Sequence, residues 1–472
     1  MVRRESGDGF VYDPAGFYDE ALTPDGRPRP HYADVLAELA RLDLVRLCER
    51  VREAARAMGA SFRVDGRPTP FVVDPVPRII EAPEWNLLER GLCQRAVALN
   101  RFIADVYGAR EIFEAGVVPS RVAFGAEHLE PWMNGVEIGS CHAPVAGFDV
   151  VRDASGELLV LEDNLRTPSG LAYMDAARRI CEPLLPGARD DRRELGDFVG
   201  LLGAALRAAA PGDGGDPSVV VLSDGPANSA WFEHRFLARL LEIPLVRPDQ
   251  LSVKAGVVQA SVGGPSAKPV DVIYRRTDED RLRGRRGRPT WLAETLLEPV
   301  RRGTVAVVNA FGSGVGDDKL AHAYVEDMVR FYLGEEPLLR SVHTYDLAGE
   351  TARGWALRRR DRLVFKPRAG HGGQGIVVGP HAQPRDRRLL GRLVRKSIDG
   401  FIAQETVALS RHPTVCDGRL EPRHVDLRAF AVGSGAEFTV VPGALTRVAM
   451  GAGDLVVNSS QGGGGKDTWV LR

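Results

Sequence analysis

The stretch Asp149-Val-Val-Arg-Asp-Ala-Ser-Gly-Glu-Leu-Leu-Val-Leu-Glu162-Asp-Asn164-Leu-Arg166-Thr-Pro-Ser-Gly170 reads as a β-hairpin that carries chemistry at its end. Leu158 to Leu161 form an apolar run typical of a buried strand, and it stops abruptly at Glu162, Asp163 and Asn164, which a core strand would reject. Hard oxygen donors at a strand end suit magnesium. Such a cation is held by one or two carboxylates while substrate phosphates complete its octahedron, so Asp149, Glu162 and Asn164 are candidate metal ligands. A nucleotide is the partner to seek.

A second segment supplies a place for it. Arg362-Leu-Val-Phe-Lys366-Pro-Arg368-Ala-Gly370-His371-Gly372-Gly373-Gln374-Gly375-Ile-Val-Val reads as strand, glycine-rich turn and strand. The chain carries positive charge mainly on arginine; its lysines are Lys254, Lys268, Lys319, Lys366, Lys396 and Lys466. A lysine kept beside a glycine loop suits phosphate: glycines let bare N–H groups approach the oxygens, and the ammonium adds a compact charge. No Gly-Lys-Ser/Thr follows, so this is not a Walker A loop, nor does it open a helix as a Rossmann turn does. Taken alone it reads equally well as a flexible hairpin turn.

The two segments together, followed by Ile402-Ala-Gln404-Glu405-Thr-Val407 and Asp426-Leu-Arg428, resemble the ATP-grasp superfamily. The hairpin with Pro168-Ser169-Gly170 is similar to the metal and substrate loop of D-alanine ligases, but here it precedes the lysine segment instead of following it. The tail (Leu409-Ser-Arg-His-Pro413, Pro442-Gly443, Leu445-Thr-Arg447-Val, Gly462 to Gly465, Lys466-Asp467-Thr-Trp-Val-Leu471) resembles the circularly permuted ATP-grasp family, as do Val272-Ile-Tyr274-Arg275-Arg276 and Asn309-Ala-Phe-Gly-Ser313-Gly314-Val315.

The resemblance implies an α/β fold, a circularly permuted ATP-grasp with a Rossmann-like preATP-grasp domain and added helices. Residues 1–205 would hold the permuted half with the metal hairpin, 216–311 the preATP-grasp domain, and 312–472 the nucleotide-binding lobe with the remaining central strands. It also implies ATP on Lys366, Gly370 to Gly375, Gln404, Glu405 and Val407, with Glu405 reading the adenine amino group. Arg428, Arg447 and Lys466 would neutralise the transferred phosphate, while Arg166, Ser169, Gly170, Arg275, Arg276 and Asn458 would meet substrate. Lys319 occupies the place of a second phosphate lysine in unpermuted relatives, yet is expected at the surface.

The activity implied is ATP- and magnesium-dependent joining of a small-molecule or peptide carboxylate to an amine through an acyl phosphate, similar to glutathionylspermidine synthetase. Such proteins are often encoded near alpha-E-domain and transglutaminase-like proteins. An ATP-binding module without turnover and a scaffold in a peptide-modification operon are the alternatives.

A formal net charge of -1 argues against general nucleic-acid binding, which needs a basic excess to displace counterions. No stretch reaches the roughly 20 apolar residues needed to span a bilayer, so a cytoplasmic protein is expected. Five scattered cysteines without a Cys-x-x-Cys pair fit reduced thiols, and Cys141-His142, adjacent on a strand, would face opposite ways. Helical patterning covers His31 to Met58, Trp85 to Tyr107 and Trp231 to Leu241; Ser218 to Ser223, Val270 to Tyr274 and Thr304 to Val308 read as strands, and Arg275 to Arg288 as a solvated loop.

Overall fold

The computed structural model describes the chain outside residues 1–11, 15, 65–66, 140, 185–190, 213–214, 265, 278, 285–287, 371–374, 398, 435–436 and 452–462. The hairpin forms with strands Val145–Arg152 and Leu158–Asn164. Its turn follows from Asp153, whose carboxylate accepts from the Ser155 and Glu157 amides at 2.8 and 3.0 Å, and from Gly156 at φ 91°.

Among the described residues the largest sheet has seven strands. Six run in the order Val73–Ile80, Gly464–Val470, Glu437–Val448, Arg419–Ser434, Val145–Arg152 and Leu158–Asn164, while Arg411–Cys416 pairs separately with Arg419–Ser434. Strands from the two ends of the chain therefore interleave in one sheet. Pairing along the path is antiparallel except between Val73–Ile80 and Gly464–Val470, which run parallel. Pro442-Gly443 lies inside the strand Glu437–Val448, where the register shifts opposite Ala429 and Ala431. A proline cannot donate to the ladder, so the pair makes an irregularity within a continuous strand.

A four-stranded parallel sheet has the order Ala306–Val308, Val272–Arg275, Val219–Leu222, Leu245–Val246. Its two central strands are buried throughout, and helix Trp231–Leu240 packs against it, as expected for a doubly wound unit. A third, antiparallel sheet contains Thr344–Asp346, Phe401–Glu405, Leu363–Pro367 and Val377–Val378. Helices Glu350–Arg358 and Pro384–Lys396 cover it through a separate core that includes Ala356, Phe365, Leu390 and Ala403.

Helix Ala82–Tyr107 fastens this arrangement. It opens with proline in its first turn, and Trp85, Leu88, Leu92, Leu99 and Phe102 along it are fully buried. Its Arg95 grips Asp163 of the hairpin through two bonds of 2.5 and 2.9 Å. The helical region expected from His31 to Met58 divides into Ala33–Leu39 and Leu44–Met58, because Asp43 caps the second helix by accepting from Val45 and Arg46. All five cysteines are free thiols, and no helix among the described residues is long and apolar enough to cross a membrane.

Candidate active site in the cleft between two sheets

A cleft of about 400 Å³ lies between the central sheet and the small antiparallel sheet, a size typical of ligand sites. The hairpin lines one wall with Asp149, Glu162 and Asn164; Lys366 and Gly370 come from the opposite one. The two segments singled out in the sequence share this cavity.

Strand register builds the charged wall. Asp149 lies opposite Glu162 on one side and Arg428 on the other, while Asp426 lies opposite Arg447. Asp426 and Arg428 are two residues apart and so share a face. Arg428 holds Asp149 with two parallel bonds of 2.6 and 2.8 Å from Nε and Nη2, the side-on bidentate geometry that guanidinium favours. Arg447 reaches Asp149 at 2.8 Å and clasps Asp426 at 2.8 and 2.5 Å. Burial alone would raise the Asp149 pKa, but the two guanidiniums outweigh it and hold the carboxyl well below its ordinary range. Burial dominates at Asp426 and raises it, against the pull of Arg447.

The facing lysine has a different environment. Lys366 is buried, which pushes its pKa down, with the Glu162 charge opposing that shift. Among the described residues its ammonium makes no hydrogen bond. Lys319 enters the same cleft, 2.9 Å from Glu162 and 2.9 Å from the Gly370 carbonyl. It is therefore not the surface residue the sequence suggested. The short helix Gly314–Asp317, docked on the hairpin through bonds from Leu165 and Arg166 to Asp317, carries it inward.

Asn164 gives an amide hydrogen to the Gly147 carbonyl at 3.3 Å, so its oxygen is available to a cation beside the carboxylates. Among the described residues no three His, Cys, Asp or Glu side chains gather to hold a metal alone. Two carboxylates and an amide nevertheless fit magnesium, whose shell is otherwise made of water and phosphate oxygens. Lys319 contacts one Glu162 oxygen, whereas both Asp149 oxygens carry arginine contacts, so Glu162 is the more accessible donor.

Beyond the hairpin, the tip folds onto the parallel-sheet unit. Glu233, buried in helix Trp231–Leu240, accepts from the Ser169 hydroxyl at 2.8 Å and from the Gly170 and Ala172 amides at 2.7 and 3.1 Å. Gly170 sits at φ 138°, and a Cβ there would lie 2.7 Å from the Phe430 ring. Arg166, Ser169 and Gly170 line the cleft.

At the other end Val364 and Val378 of the small sheet face Leu161 and Leu409, an apolar slot. Glu405 stands at its rim, accepting from the Tyr345 hydroxyl at 2.5 Å, and Val407 follows it. Gln404 is buried beneath, donating to Thr344 Oγ1 at 3.0 Å.

Gly375 does not line the cleft, and three expected side chains lie elsewhere. Lys466 is fully buried against Asp74 and the Pro413 carbonyl, away from the cleft. It pairs with Thr446, the neighbour of Arg447, so alternation turns it to the opposite face. Arg275 is spent on the Asn309 carbonyl at 2.6 Å and Glu279 at 2.7 Å; Arg276 is spent on Glu233 at 2.8 Å and the Pro168 carbonyl at 2.9 Å. Both arginines brace the cleft without lining it. The expectations for His371, Gly372, Gly373, Gln374 and Asn458 lie outside the described residues. Asp426 and Glu233 were overlooked as site residues, and Lys319 was weighed but expected at the surface. The two-residue spacing to Arg428 was a signal for Asp426 and the scarcity of lysine one for Lys319, while nothing local marks Glu233.

Comparison with known proteins agrees with this architecture. The family model described as circularly permuted ATP-grasp type 2 matches residues 77–449. A Frankia alni protein named "Putative glutamate--cysteine ligase 2-3" is 46% identical over 98% of this chain and 54% of its own length. An uncharacterized protein of Synechocystis sp. is 40% identical over 98% of both chains. The chain thus spans about half the length of the first curated relatives it matches. The structure of a glutathione synthetase-like effector from Globodera pallida aligns with a TM-score of 0.57 at 11% identity, covering 95% of this chain and all of the other, a likeness of fold. With its α/β layers, its interleaved chain ends and a matching family model over most of its length, the chain belongs to the circularly permuted ATP-grasp type 2 family.

Proposed function

We propose that this protein is an ATP-dependent ligase that joins a carboxylate to an amine through an acyl phosphate, with magnesium as the accompanying ion. The observation that carries the reading is the shared cleft of Lys366, Lys319 and Glu162, where a polyanion would find two ammonium groups and an oxygen donor for its counter-ion. Magnesium, held by Glu162 with Asn164 and Asp149, would neutralise charge on the phosphates.

The adenine would occupy the apolar slot, with Glu405 accepting from its amino group and the Val407 backbone serving its edge. Lys366 and Lys319 would bind the triphosphate, with Gly370 beside them in the cleft lining. A carboxylate oxygen of the substrate attacks the γ-phosphorus, the bond to ADP breaks, and an acyl phosphate results. An amine then attacks the carbonyl carbon, inorganic phosphate departs, and the amine sheds one proton. Arg447 uses Nε and Nη2 on its aspartates, so Nη1 remains for the transferred phosphoryl group. Catalysis of this kind is electrostatic and needs no covalent nucleophile. Arg166 and Ser169 would contact the carboxylate substrate.

A relative carries the name "Putative glutamate--cysteine ligase 2-3", and the joining of a carboxylate to an amine that this name describes is the class of reaction proposed here. The test supplies magnesium and ATP with a panel of amino acids, peptides and amines. ADP release that requires both a carboxylate and an amine, with a condensed product seen by mass spectrometry, supports the proposal. Tight ATP binding with no turnover across the panel would instead favour a binding module.

A further inference from the structure

His322 lies beneath the cleft floor and is not a residue that the reading above uses. It is buried, and its Nδ1 stands 2.7 Å from Asp163 Oδ2, which Arg95 Nη2 also grips at 2.9 Å. Arg95 Nη2 also stands 3.1 Å from Nδ1, but it donates to Asp163 over a shorter distance; a carboxylate held by an arginine is ionised and can only accept, so the 2.7 Å contact assigns the proton to Nδ1. Burial lowers the pKa of His322, against the pull of Asp163, and keeps the ring neutral. Nε2 is then a lone-pair acceptor, and among the described residues it is buried without a partner. An unmet buried acceptor costs free energy unless something donates to it.

A small void shows what can. It measures about 10 Å³ and is lined by His322, Lys366, Lys319, Asp163 and Gln404. That is about the volume one water needs, and although Leu161 and Ile402 make part of its wall apolar, His322, Lys366 and the Glu162 carboxylate bring polar partners to it. Lys366 brings three N–H donors to this space, and its positive charge is near enough to act on the imidazole. The chain Arg95, Asp163, His322 has the form by which an outer carboxylate fixes the tautomer of a histidine that acts on the next group.

We propose that His322 is a positioning residue for Lys366, accepting through Nε2, across one water, a hydrogen bond that aims the ammonium at the ATP phosphates. This rests on the nucleotide reading of the cleft. It assigns a function to a dyad that would otherwise serve only to anchor the hairpin.

The experiment is a double-mutant cycle on ATP affinity, measured calorimetrically with magnesium and ATP. His322→Asn keeps a donor for Asp163 and deletes the acceptor at Nε2; His322→Gln places a carbonyl near Nε2. The expected result is roughly a tenfold weaker affinity for the Asn variant, as for loss of a hydrogen bond to a charged group, with most of it recovered in the Gln variant. In a Lys366→Ala background the Asn change should add little. Additive losses, or equal losses in the Asn and Gln variants, would overturn the assignment and leave the nucleotide site standing. A wild-type protein that binds no ATP would remove both. Should the Asn variant fail to fold, the Gln variant decides: retained affinity supports the assignment, and a full loss rejects it.

Discussion

The two walls of the cleft handle charge in opposite ways. On the central sheet Asp149, Asp426, Arg428 and Arg447 satisfy one another through close bidentate contacts. On the small sheet Lys366 has no hydrogen-bonded partner among the described residues; the charges of Glu162 and Asp149 favour its ammonium, and that of Lys319 opposes it. A mutually satisfied wall is rigid before any ligand arrives, whereas a buried ammonium with no hydrogen bond to accept its protons is a standing demand for an anion. Substitutions on the first wall should therefore be felt in stability, and on the second in nucleotide use.

The largest effect is expected at Lys366. Lys366→Ala should lower ATP-dependent turnover by about 100-fold or more, as for loss of one charge-stabilising donor, while the melting temperature holds or rises. Full activity, read as ADP release, would erase the contrast between the walls. Asp149→Asn should act the other way and cost about 3–5 kcal/mol of stability, because it leaves Arg428 and Arg447 buried without their counter-charge. Denaturant titration checks this, and a loss under 1 kcal/mol would show the wall to be less interdependent than its geometry suggests.

Acid should find a third region, the scaffold outside the cleft. Burial depresses His234 and His412 well below the ordinary histidine value, and it lowers His142 to about 4. As pH falls below about 6.5 the unfolded chain takes up protons there and the folded chain does not, so stability is full above that value and declines toward pH 4. The slope is at most about 1.4 kcal/mol per pH unit for each of His234 and His412. A melting temperature that stayed flat from pH 7 to 4.5 would contradict this. The smallest effect belongs to Arg340→Ala, which removes an exposed pair with Glu157 at the hairpin turn and should change stability by about 0.5 kcal/mol or less. A larger loss would mean that the turn, and not only the strands, holds the charged wall in place.

Much of this was legible because the informative residues contradict their surroundings. Glu162 and Asn164 interrupt an apolar strand, and Lys366 is one of few lysines in an arginine-rich chain. The misplacements have one origin. Lys466 follows a glycine run and looks like a phosphate lysine, yet its face depends on register with Thr446, which no local pattern specifies. Arg275 leaves a strand at its carboxyl end, where α/β sheets place ligands, but Glu279 and Asn309 consume its donors. Lys319 was misplaced and Glu233 missed because segments distant in sequence, the turn after helix Gly314–Asp317 and helix Trp231–Leu240, carry them to the hairpin.

From the sequence alone come the hairpins, the helices, the residue types suited to phosphate and magnesium, and the order of segments that marks a permuted chain. These rest on near neighbours, on alternation and on turn chemistry. Which charges are already spent on one another, and which are left for a ligand, was decided only by tertiary structure. Pairing between strands hundreds of residues apart determines whether a given arginine or lysine meets an aspartate or an open cleft.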